Sequence, residues 1–299
     1  MTTPSTAPSP TAPAVLATKR RLAEALDGRP GRPVHTVMTM GALHEGHQQL
    51  FRAAVRDAAE AGGVVLATVF VNPLQFGPSE DYERYPRQLD ADLKLAQEAG
   101  VELVFAPSVE EMYPGFPEHG PQVRVTAGPM GERFEGASRP GHFDGMLTVV
   151  HKLLQLTRAR RAYFGQKDAQ QLALIRRMAA DLDLAAEIVA VPTQREASGL
   201  ARSSRNVYLT ERDRAAALAL SRALFAGRNA AAGGAGAAAV RAAARQVLDA
   251  EGGLTVEYAE LIDPADFTAA PDAFRGPAVL AVAARVGTTR LIDNLPLEV

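Results

Sequence analysis

The sequence predicts an α/β protein built on a doubly wound parallel β-sheet, followed by a smaller α+β C-terminal domain. Apolar, β-branched stretches alternate with amphipathic ones, and VVLATVFV at 64–71 is nearly all apolar. Continuous apolar runs are typical of parallel strands that are covered on both faces, and a β-α-β-α-β order implies right-handed crossovers within one sheet. The 299 residues, of which 47% are hydrophobic, suffice for one large domain or two.

Composition and charge narrow the classes of function. The formal net charge of −2 argues against nucleic acid as the main partner, because binding a phosphate backbone needs a basic face. The absence of cysteine excludes disulfides, thiolate metal sites and a thiol nucleophile. Residues 1–14 are rich in Pro, Ser and Thr and lack the features of a secretory signal, and no stretch approaches the ~20 apolar residues of a membrane span. We expect a cytoplasmic protein with no membrane partner and a disordered tail over residues 1–14.

The first elements follow from hydrophobic periodicity and from Gly/Pro punctuation. Their predicted ranges are a helix at 15–28, a strand at 34–38, a helix at 45–60, a strand at 64–71, a helix at 87–99 and a strand at 101–107. Ligands of open parallel sheets bind at the carboxyl ends of the strands. We therefore expect function in the segments that follow residues 38 and 71.

The remaining elements complete the sheet and then change in character. Residues 108–141 are irregular and rich in proline, and we interpret them as an arm or a hairpin. The elements predicted after them are helices at 142–158 and 169–182, a strand at 161–165, Ala/Arg-rich helices within 211–251 joined by a flexible linker at 229–239, and strands at 255–263, 277–286 and 289–295. The sequence thus predicts a sheet domain over 15–192 and a smaller domain over 193–299.

The segment MGALHEGH at 40–47 joins a strand to a helix that starts near His44. Helix N-termini carry unpaired N–H groups and a partial positive charge, so they suit phosphate, and His44 and His47 would lie on one face of the first turn. Two other interpretations stay open. The histidines could bind zinc, although H-E-x-x-H sites use i, i+4 spacing, or they could lie at a solvated helix start.

The loop NPLQFGPSEDYERYPR at 72–87 is long, stiffened by three prolines, and carries Asn72, Gln75 and Tyr85. Long loops in compact domains are usually functional. The alternative is a simple connection whose polar groups face water.

A second strand-to-helix turn contains Gly165, Gln166, Lys167 and Asp168. Lys167 would meet phosphate charge there, whereas Asp168 would cap the helix or hold a ribose or Mg²⁺. Gln171 lies one turn further on and would face the same way. The alternative is an ordinary N-cap beside an exposed lysine.

A third polar segment is the donor cluster of Arg202, Ser203, Ser204 and Arg205 in a Gly/Ser loop. Hydroxyl groups, backbone N–H groups and guanidinium forks suit polyphosphate oxygens. The alternative is a solvated loop with Asn206 as a turn residue.

Five ordered motifs now resemble one known family. MTMGALHEGH, VNPLQFGPSEDYERYPR, FEGASRPGHFDG, YFGQKDAQQ and GLARSSRN are similar to those of the pantothenate synthetases, over residues 34 to about 210. The resemblance implies a homodimeric ligase of the vitamin B5 pathway that joins (R)-pantoate to β-alanine with ATP and Mg²⁺. It also implies a Rossmann-like N-terminal domain and a C-terminal domain that acts as a lid. Two residues depart from the family pattern: Met38 stands where proline is usual, and Arg202 where methionine is usual.

The resemblance also implies roles for single residues. His47 would be a proton donor, His44 would contact the phosphates, and Lys167 would join them in catalysis. Gln75 would bind both pantoate and β-alanine, Gln171 would bind pantoate, and Asn72 and Tyr85 would support them. The implied ATP contacts are Met40, Gly41, Ala42, Leu43, His44, Glu45, Gly46, His47, Gly165, Gln166, Lys167, Asp168, Gln194, Arg202, Ser203, Ser204 and Arg205.

The chemistry of this reaction asks for charge neutralisation, because the pantoate carboxylate is already ionised and approaches a polyanion. Lys167, Arg205, Mg²⁺ and a helix N-terminus suit that role, and residues 198–206 are the candidate lid over a water-sensitive adenylate. No motif places an evident base for β-alanine. Two rival functions stay open: a nucleotidyltransferase that leaves the nucleotide on its product, and a sensor that binds ATP without turnover.

Overall fold

A computed structural model describes residues 11–77 and 82–299. Most of the predicted tail and the centre of the 72–87 loop, residues 78–81, lie outside the described residues. The chain divides into two compact units. The first consists of residues up to Val125, Thr148–Phe164 and Ala185–Val189, and the second of Thr126–Leu147, Gly165–Leu184 and Ala190–Val299. The domain limits of 15–192 and 193–299 stay a prediction.

Strands and helices alternate along the first two-thirds of the described chain. In chain order they are β1 (Ala14–Leu16), α1 (Lys19–Asp27), β2 (Val34–Thr39), α2 (Glu45–Ala61), β3 (Val64–Val69), α3 (Leu89–Glu98), β4 (Leu103–Phe105), α4 (Val109–Met112), α5 (Glu135–Ser138), α6 (His142–Thr157), β5 (Ala159–Gly165), α7 (Ala169–Asp181) and β6 (Glu187–Val191). Short 3-10 helices lie at Pro73–Gln75, Gly128–Gly131 and Ser204–Tyr208.

These strands form a six-stranded sheet in the order β1-β4-β3-β2-β5-β6. β1 runs parallel to β4, β4 to β3, β3 to β2 and β2 to β5. Val37, Leu66 and Ala67 on the central strands are fully buried, as expected when helices cover both faces. The predicted doubly wound parallel sheet is therefore confirmed.

The second unit carries a four-stranded antiparallel sheet with two helices. Its elements after β6 are α8 (Glu211–Ala232), α9 (Ala237–Asp249), β7 (Leu254–Asp263), β8 (Thr268–Ala269), β9 (Pro277–Val286) and β10 (Thr289–Glu298), and the strand order is β10-β9-β7-β8. Leu224 and Val240 of the helices share a buried core with Leu261 and Leu280 of the sheet. A Cβ at Gly227 would lie 2.3 Å from Leu280 Cδ2, so this glycine permits close packing of the helix on the sheet. The predicted α+β character is confirmed.

Three predictions of local structure were wrong. Residues 14–16 form an edge strand rather than the start of a helix, because the Ala14 amide donates to Glu102 and the segment pairs with β4. Residues 108–141, all of which are described, contain short helical turns and no hairpin strands, so the hairpin interpretation is wrong and that of an arm stays a prediction. The 229–239 linker is mostly helical: only Gly233–Gly236 separates α8 from α9, because alanine has the highest helix propensity.

No helix in the described part of the chain is both long and apolar enough to cross a bilayer.

Candidate active site

In the first unit, the turn between β2 and α2 is tight and left-handed. Gly41 has φ +83° and Ala42 has φ +51°. A Cβ at Gly41 would approach Asp92 Oδ2 to 2.9 Å and Val69 Cγ1 to 3.2 Å. Glycine is therefore needed at position 41 both for its backbone conformation and for space.

Asp92 of α3 supports this turn from the protein interior. Its buried carboxylate accepts the Leu43 amide at 2.8 Å and the Ala42 amide at 3.2 Å. Sequence reasoning missed Asp92, which lies about fifty positions away in the chain and carries no motif.

His44 and His47 cap the N-terminus of α2 reciprocally. His44 Nδ1 accepts the Gly46 amide at 3.1 Å, and His47 Nδ1 accepts the His44 amide at 3.3 Å. The ring centroids lie 4.2 Å apart. A neutral imidazole whose Nδ1 accepts a hydrogen bond carries its proton on Nε2. Both rings are thus fixed as Nε2–H donors.

These contacts change how the turn can bind an anion. The sequence led us to expect unpaired amides at the start of α2. Instead, the amides of residues 42 and 43 donate to Asp92, and those of residues 44 and 46 donate to the two imidazoles. The groups suited to phosphate here are the imidazoles rather than the backbone amides.

Gln75 lies close to this turn and is buried. Asn72 Nδ2 donates to Gln75 Oε1 at 3.1 Å, and Gln75 Nε2 donates to Met40 Sδ at 3.2 Å. Tyr85 packs edge-on against Phe76, with the ring centroids 5.8 Å apart. The first unit therefore brings Gln75 into contact with Met40, the residue at the start of the turn that carries the histidine pair.

In the second unit, the turn after β5 is held by Asn294. The buried Asn294 side chain donates to the carbonyl oxygens of Gln166 and Lys167 at 3.0 and 2.7 Å and accepts from Gln166 Nε2 at 3.2 Å. Sequence reasoning treated the segment around Asn294 only as a strand, because nothing in its composition indicates the partner.

Lys167 and Asp168 follow in this turn. Lys167 Nζ lies 3.9 Å from Asp168 Oδ1, and the Asp168 side chain, about half exposed, makes no capping bond to α7. The interpretation of Asp168 as a side-chain cap was therefore wrong. Gln171 lies half-buried in the first turn of α7.

The segment from Gln194 to Asn206 is a structured loop. The Gln194 carbonyl accepts the Arg202 amide at 2.8 Å, and Ser203 caps the 3-10 helix by accepting the Arg205 amide at 3.3 Å. Asn206 is buried and donates to Glu196 and to the Ala201 carbonyl, so it is not a solvated turn residue. Lys167 and Ser203 line the same small cavity, so the second unit brings these two predicted residues together.

Within residues 11–77 and 82–299, no group of three or more His, Asp or Glu side chains is placed to hold a metal ion.

A parallel sheet with an H-x-G-H turn after one strand and a lysine turn after another is typical of α/β enzymes that bind nucleotides. The sequence profile described as Pantoate-beta-alanine ligase matches residues 14–296. The chain is 57% identical to the pantothenate synthetase of Streptomyces avermitilis, over 87% of this chain and 91% of that protein. It is 54% identical to the pantothenate synthetase of Thermobifida fusca, over 99% of both chains.

Comparison with solved structures points to the same family as these relatives. A pantothenate synthetase from Thermus thermophilus superposes with a TM-score of 0.84 at 46% identity, over 94% of this chain and 98% of that one. A pantoate-beta-alanine ligase from Francisella tularensis, complexed with beta-gamma ATP and beta-alanine, gives a TM-score of 0.71 at 31% identity, over 95% and 97%. The chain belongs to the pantoate-β-alanine ligase family. The resemblance identified from the motifs is confirmed: the chain is a ligase that forms pantothenate from pantoate and β-alanine.

Proposed function

We propose that the chain activates pantoate with ATP as a pantoyl adenylate and transfers the pantoyl group to β-alanine, with release of pyrophosphate and then AMP. The observation that carries this mechanism is the reciprocal cap at the start of α2, which fixes two Nε2–H donors on one helix turn. The ligand set named for the Francisella relative supports ATP and β-alanine as substrates.

In the first unit, His44 and His47 would donate to phosphoryl oxygens as negative charge shifts toward pyrophosphate. Preorganised donors of this kind stabilise charge that develops in the transition state. The pantoate carboxylate is the nucleophile and needs no base, so proton donation and charge neutralisation are the main demands on the protein. Met40 to His47 would form this part of the ATP site.

In the second unit, Lys167 would neutralise phosphate charge, with Arg205 acting in the same way. Because Asn294 holds the two carbonyl oxygens that precede Asp168, the turn is rigid and needs little ordering when it binds nucleotide. The further residues proposed to contact ATP are Gly165, Gln166, Asp168, Gln194, Arg202, Ser203 and Ser204. The role of residues 198–206 as a lid stays a prediction.

Mg²⁺ fits this donor set as an ion carried mainly by the nucleotide. Magnesium keeps several waters and binds through substrate phosphates and one or two carboxylates, so it needs no cluster of protein ligands. Asp168 is the suitable carboxylate, since its side chain is about half exposed and does not cap α7. When bound, the ion would neutralise phosphate charge.

Pantoate would be bound by Gln75 and Gln171, and β-alanine by Gln75, with Asn72 and Tyr85 as supporting residues. We also propose that two copies of the chain assemble as a homodimer in the cytoplasm, and the resemblance to the family is what supports this.

The test is pantoate-dependent exchange of labelled pyrophosphate into ATP. His47→Ala and Lys167→Ala should each lower the exchange rate by at least about 10²-fold, the typical cost of removing one preorganised donor. His119→Ala and Lys94→Ala, which change exposed residues of the same types, should leave it unchanged.

A second pair of variants distinguishes the capping role of His47 from its proposed role as a donor to phosphate. His47→Asn keeps an acceptor near the position of Nδ1 but removes Nε2–H, so it should preserve thermal stability and lose exchange. His47→Gln offers an amide donor near the position of Nε2 and should retain more activity than His47→Asn. Exchange in the alanine variants within a few-fold of the unmodified chain would remove His47 and Lys167 from the mechanism.

A further inference from the structure

A chain of hydrogen bonds runs beneath Gln75. The Tyr113 hydroxyl donates to Asn72 Oδ1 at 3.0 Å, and Asn72 Nδ2 donates to Gln75 Oε1 at 3.1 Å. All three side chains are buried. The Leu74 amide also donates to Asn72 Oδ1, at 3.4 Å.

These bonds determine which way both amide groups point. A backbone N–H cannot accept a hydrogen bond, so the Leu74 amide requires the oxygen of Asn72 on its side. The NH₂ group of Asn72 then faces Gln75 and donates to it, so Gln75 must accept this hydrogen bond with its carbonyl oxygen. The group on the other side of Gln75 is therefore its own NH₂, one hydrogen of which is directed at Met40 Sδ, 3.2 Å away.

Tyr113 is firmly held in the position from which it donates. Its ring packs against Phe70, with centroids 5.9 Å apart, and Lys152 Nζ lies 5.2 Å from its centroid. Lys152 also donates to the carbonyl of Met112, which anchors the end of α4. Burial raises the pKa of the Tyr113 hydroxyl, so it remains a protonated donor at neutral pH.

We propose that Tyr113 is a positioning residue which acts through Asn72 to make Gln75 offer its NH₂ group to the acid substrate. This proposal rests on the proposed role of Gln75 in binding pantoate. An NH₂ group selects an oxygen acceptor, so Gln75 would contact a carboxylate or hydroxyl oxygen of pantoate and would disfavour a ligand that presents a donor there.

The first experiment is steady-state kinetics of Tyr113→Phe. Loss of one buried hydrogen bond between neutral groups should raise the KM for pantoate by roughly 5- to 10-fold, while the KM for ATP stays within about twofold. Tyr163→Phe is the matched control. Tyr163 is also buried, and its hydroxyl contacts Asp57 and His35, so this variant should leave the pantoate KM unchanged. A pantoate KM of Tyr113→Phe that equals that of the control would overturn the proposal.

A double-mutant cycle tests whether Tyr113 acts through Asn72. If it does, Tyr113→Phe combined with Asn72→Ala should raise the pantoate KM no further than Asn72→Ala alone. Additive effects of the two substitutions would contradict the proposal.

Two further substitutions test the amide orientation without altering Tyr113. Asn72→Asp keeps the acceptor for Tyr113 but presents an oxygen to Gln75, which must then turn its NH₂ inward, so the pantoate KM should rise. Gln75→Glu should raise the pantoate KM more than Gln75→Ala, because it directs a carboxylate oxygen at an anionic substrate. The reverse order would mean that Gln75 offers its oxygen.

The effect of Gln75→Ala separates the proposed role of Gln75 from that of Tyr113. If Gln75→Ala leaves the pantoate KM unchanged, the proposed role of Gln75 fails, and that of Tyr113 fails with it. If Gln75→Ala raises the pantoate KM and Tyr113→Phe does not, only the positioning role is overturned.

Discussion

Gly46, the residue between the two histidines, provides a steric test of the reciprocal cap. In Gly46→Ala, the new Cβ would lie 2.8 Å from His44 Cε1 and 3.0 Å from His44 Nδ1. Ordinary carbon–carbon contacts are about 3.5–4.0 Å, so the His44 ring must move by about 0.7 Å or more. The substitution therefore displaces one imidazole without removing any polar group.

The expected effects on rate and on stability have different sizes. A 1 Å misplacement of a reacting or binding group can cost about 10²-fold, so we expect kcat to fall by about 10- to 100-fold. Alanine is favoured over glycine in a helix by about 0.5–1 kcal/mol, whereas a weakened N-cap costs about 1 kcal/mol. These terms nearly cancel, and the free energy of unfolding should change by less than about 1 kcal/mol.

The assay is pyrophosphate exchange together with denaturant unfolding of the same preparation. Gly252→Ala is the matched control, because a Cβ at Gly252 meets no atom within 4 Å and its backbone is not left-handed. The control should match the unmodified chain in both measurements. If Gly46→Ala unfolds normally and retains exchange within twofold, the exact placement of His44 is not needed for the reaction.

Three further predictions concern other described residues. Asp92→Asn should lower the free energy of unfolding by about 1–3 kcal/mol and also reduce exchange, because an NH₂ group would replace one of the two oxygens that accept turn N–H groups. Asp90→Asn, on the exposed side of α3, should do neither in a parallel urea titration. Burial, and after it the charge of Arg161, lowers the pKa of His35 in the folded chain. The unfolded chain therefore binds more protons than the folded chain as the pH falls below 6.5. The free energy of unfolding should decrease from pH 7 to pH 5, and His35→Gln should flatten that slope. Arg202→Met, which restores the residue usual in the family, should raise the KM for ATP by roughly 2- to 5-fold if Arg202 contacts polyphosphate, and an unchanged KM would exclude that contact.

The sheet could be predicted from sequence because its signals are local. Runs such as residues 64–69 are apolar throughout, and Gly62 and Gly63 mark the end of the preceding helix. Edge strand β1 escaped prediction because its three residues become a strand only by pairing with β4, almost ninety positions away.

The residues of the candidate site likewise fall into those that local sequence signals reveal and those that they do not. The residues proposed to touch substrate are found from motifs, because their types and spacing express the chemistry. The residues that hold them in place cannot be found from motifs. Asp92, Tyr113 and Asn294 act on turns that are distant in sequence, through contacts that only the fold creates. Their residue types are ordinary, and each could equally well have faced solvent.

The reciprocal cap also explains why the spacing of the histidines matters. At i, i+3, His47 occupies the third helical position, from which its Nδ1 can accept the amide of the capping residue His44. The same contacts that begin the helix therefore direct the proton of each neutral ring to Nε2, from which it can be donated to an oxygen acceptor such as phosphate. In this turn, the stability of the helix and the proposed donor role of the rings depend on one set of hydrogen bonds. A substitution that removes the donor and spares the helix must therefore retain an acceptor at the position of Nδ1.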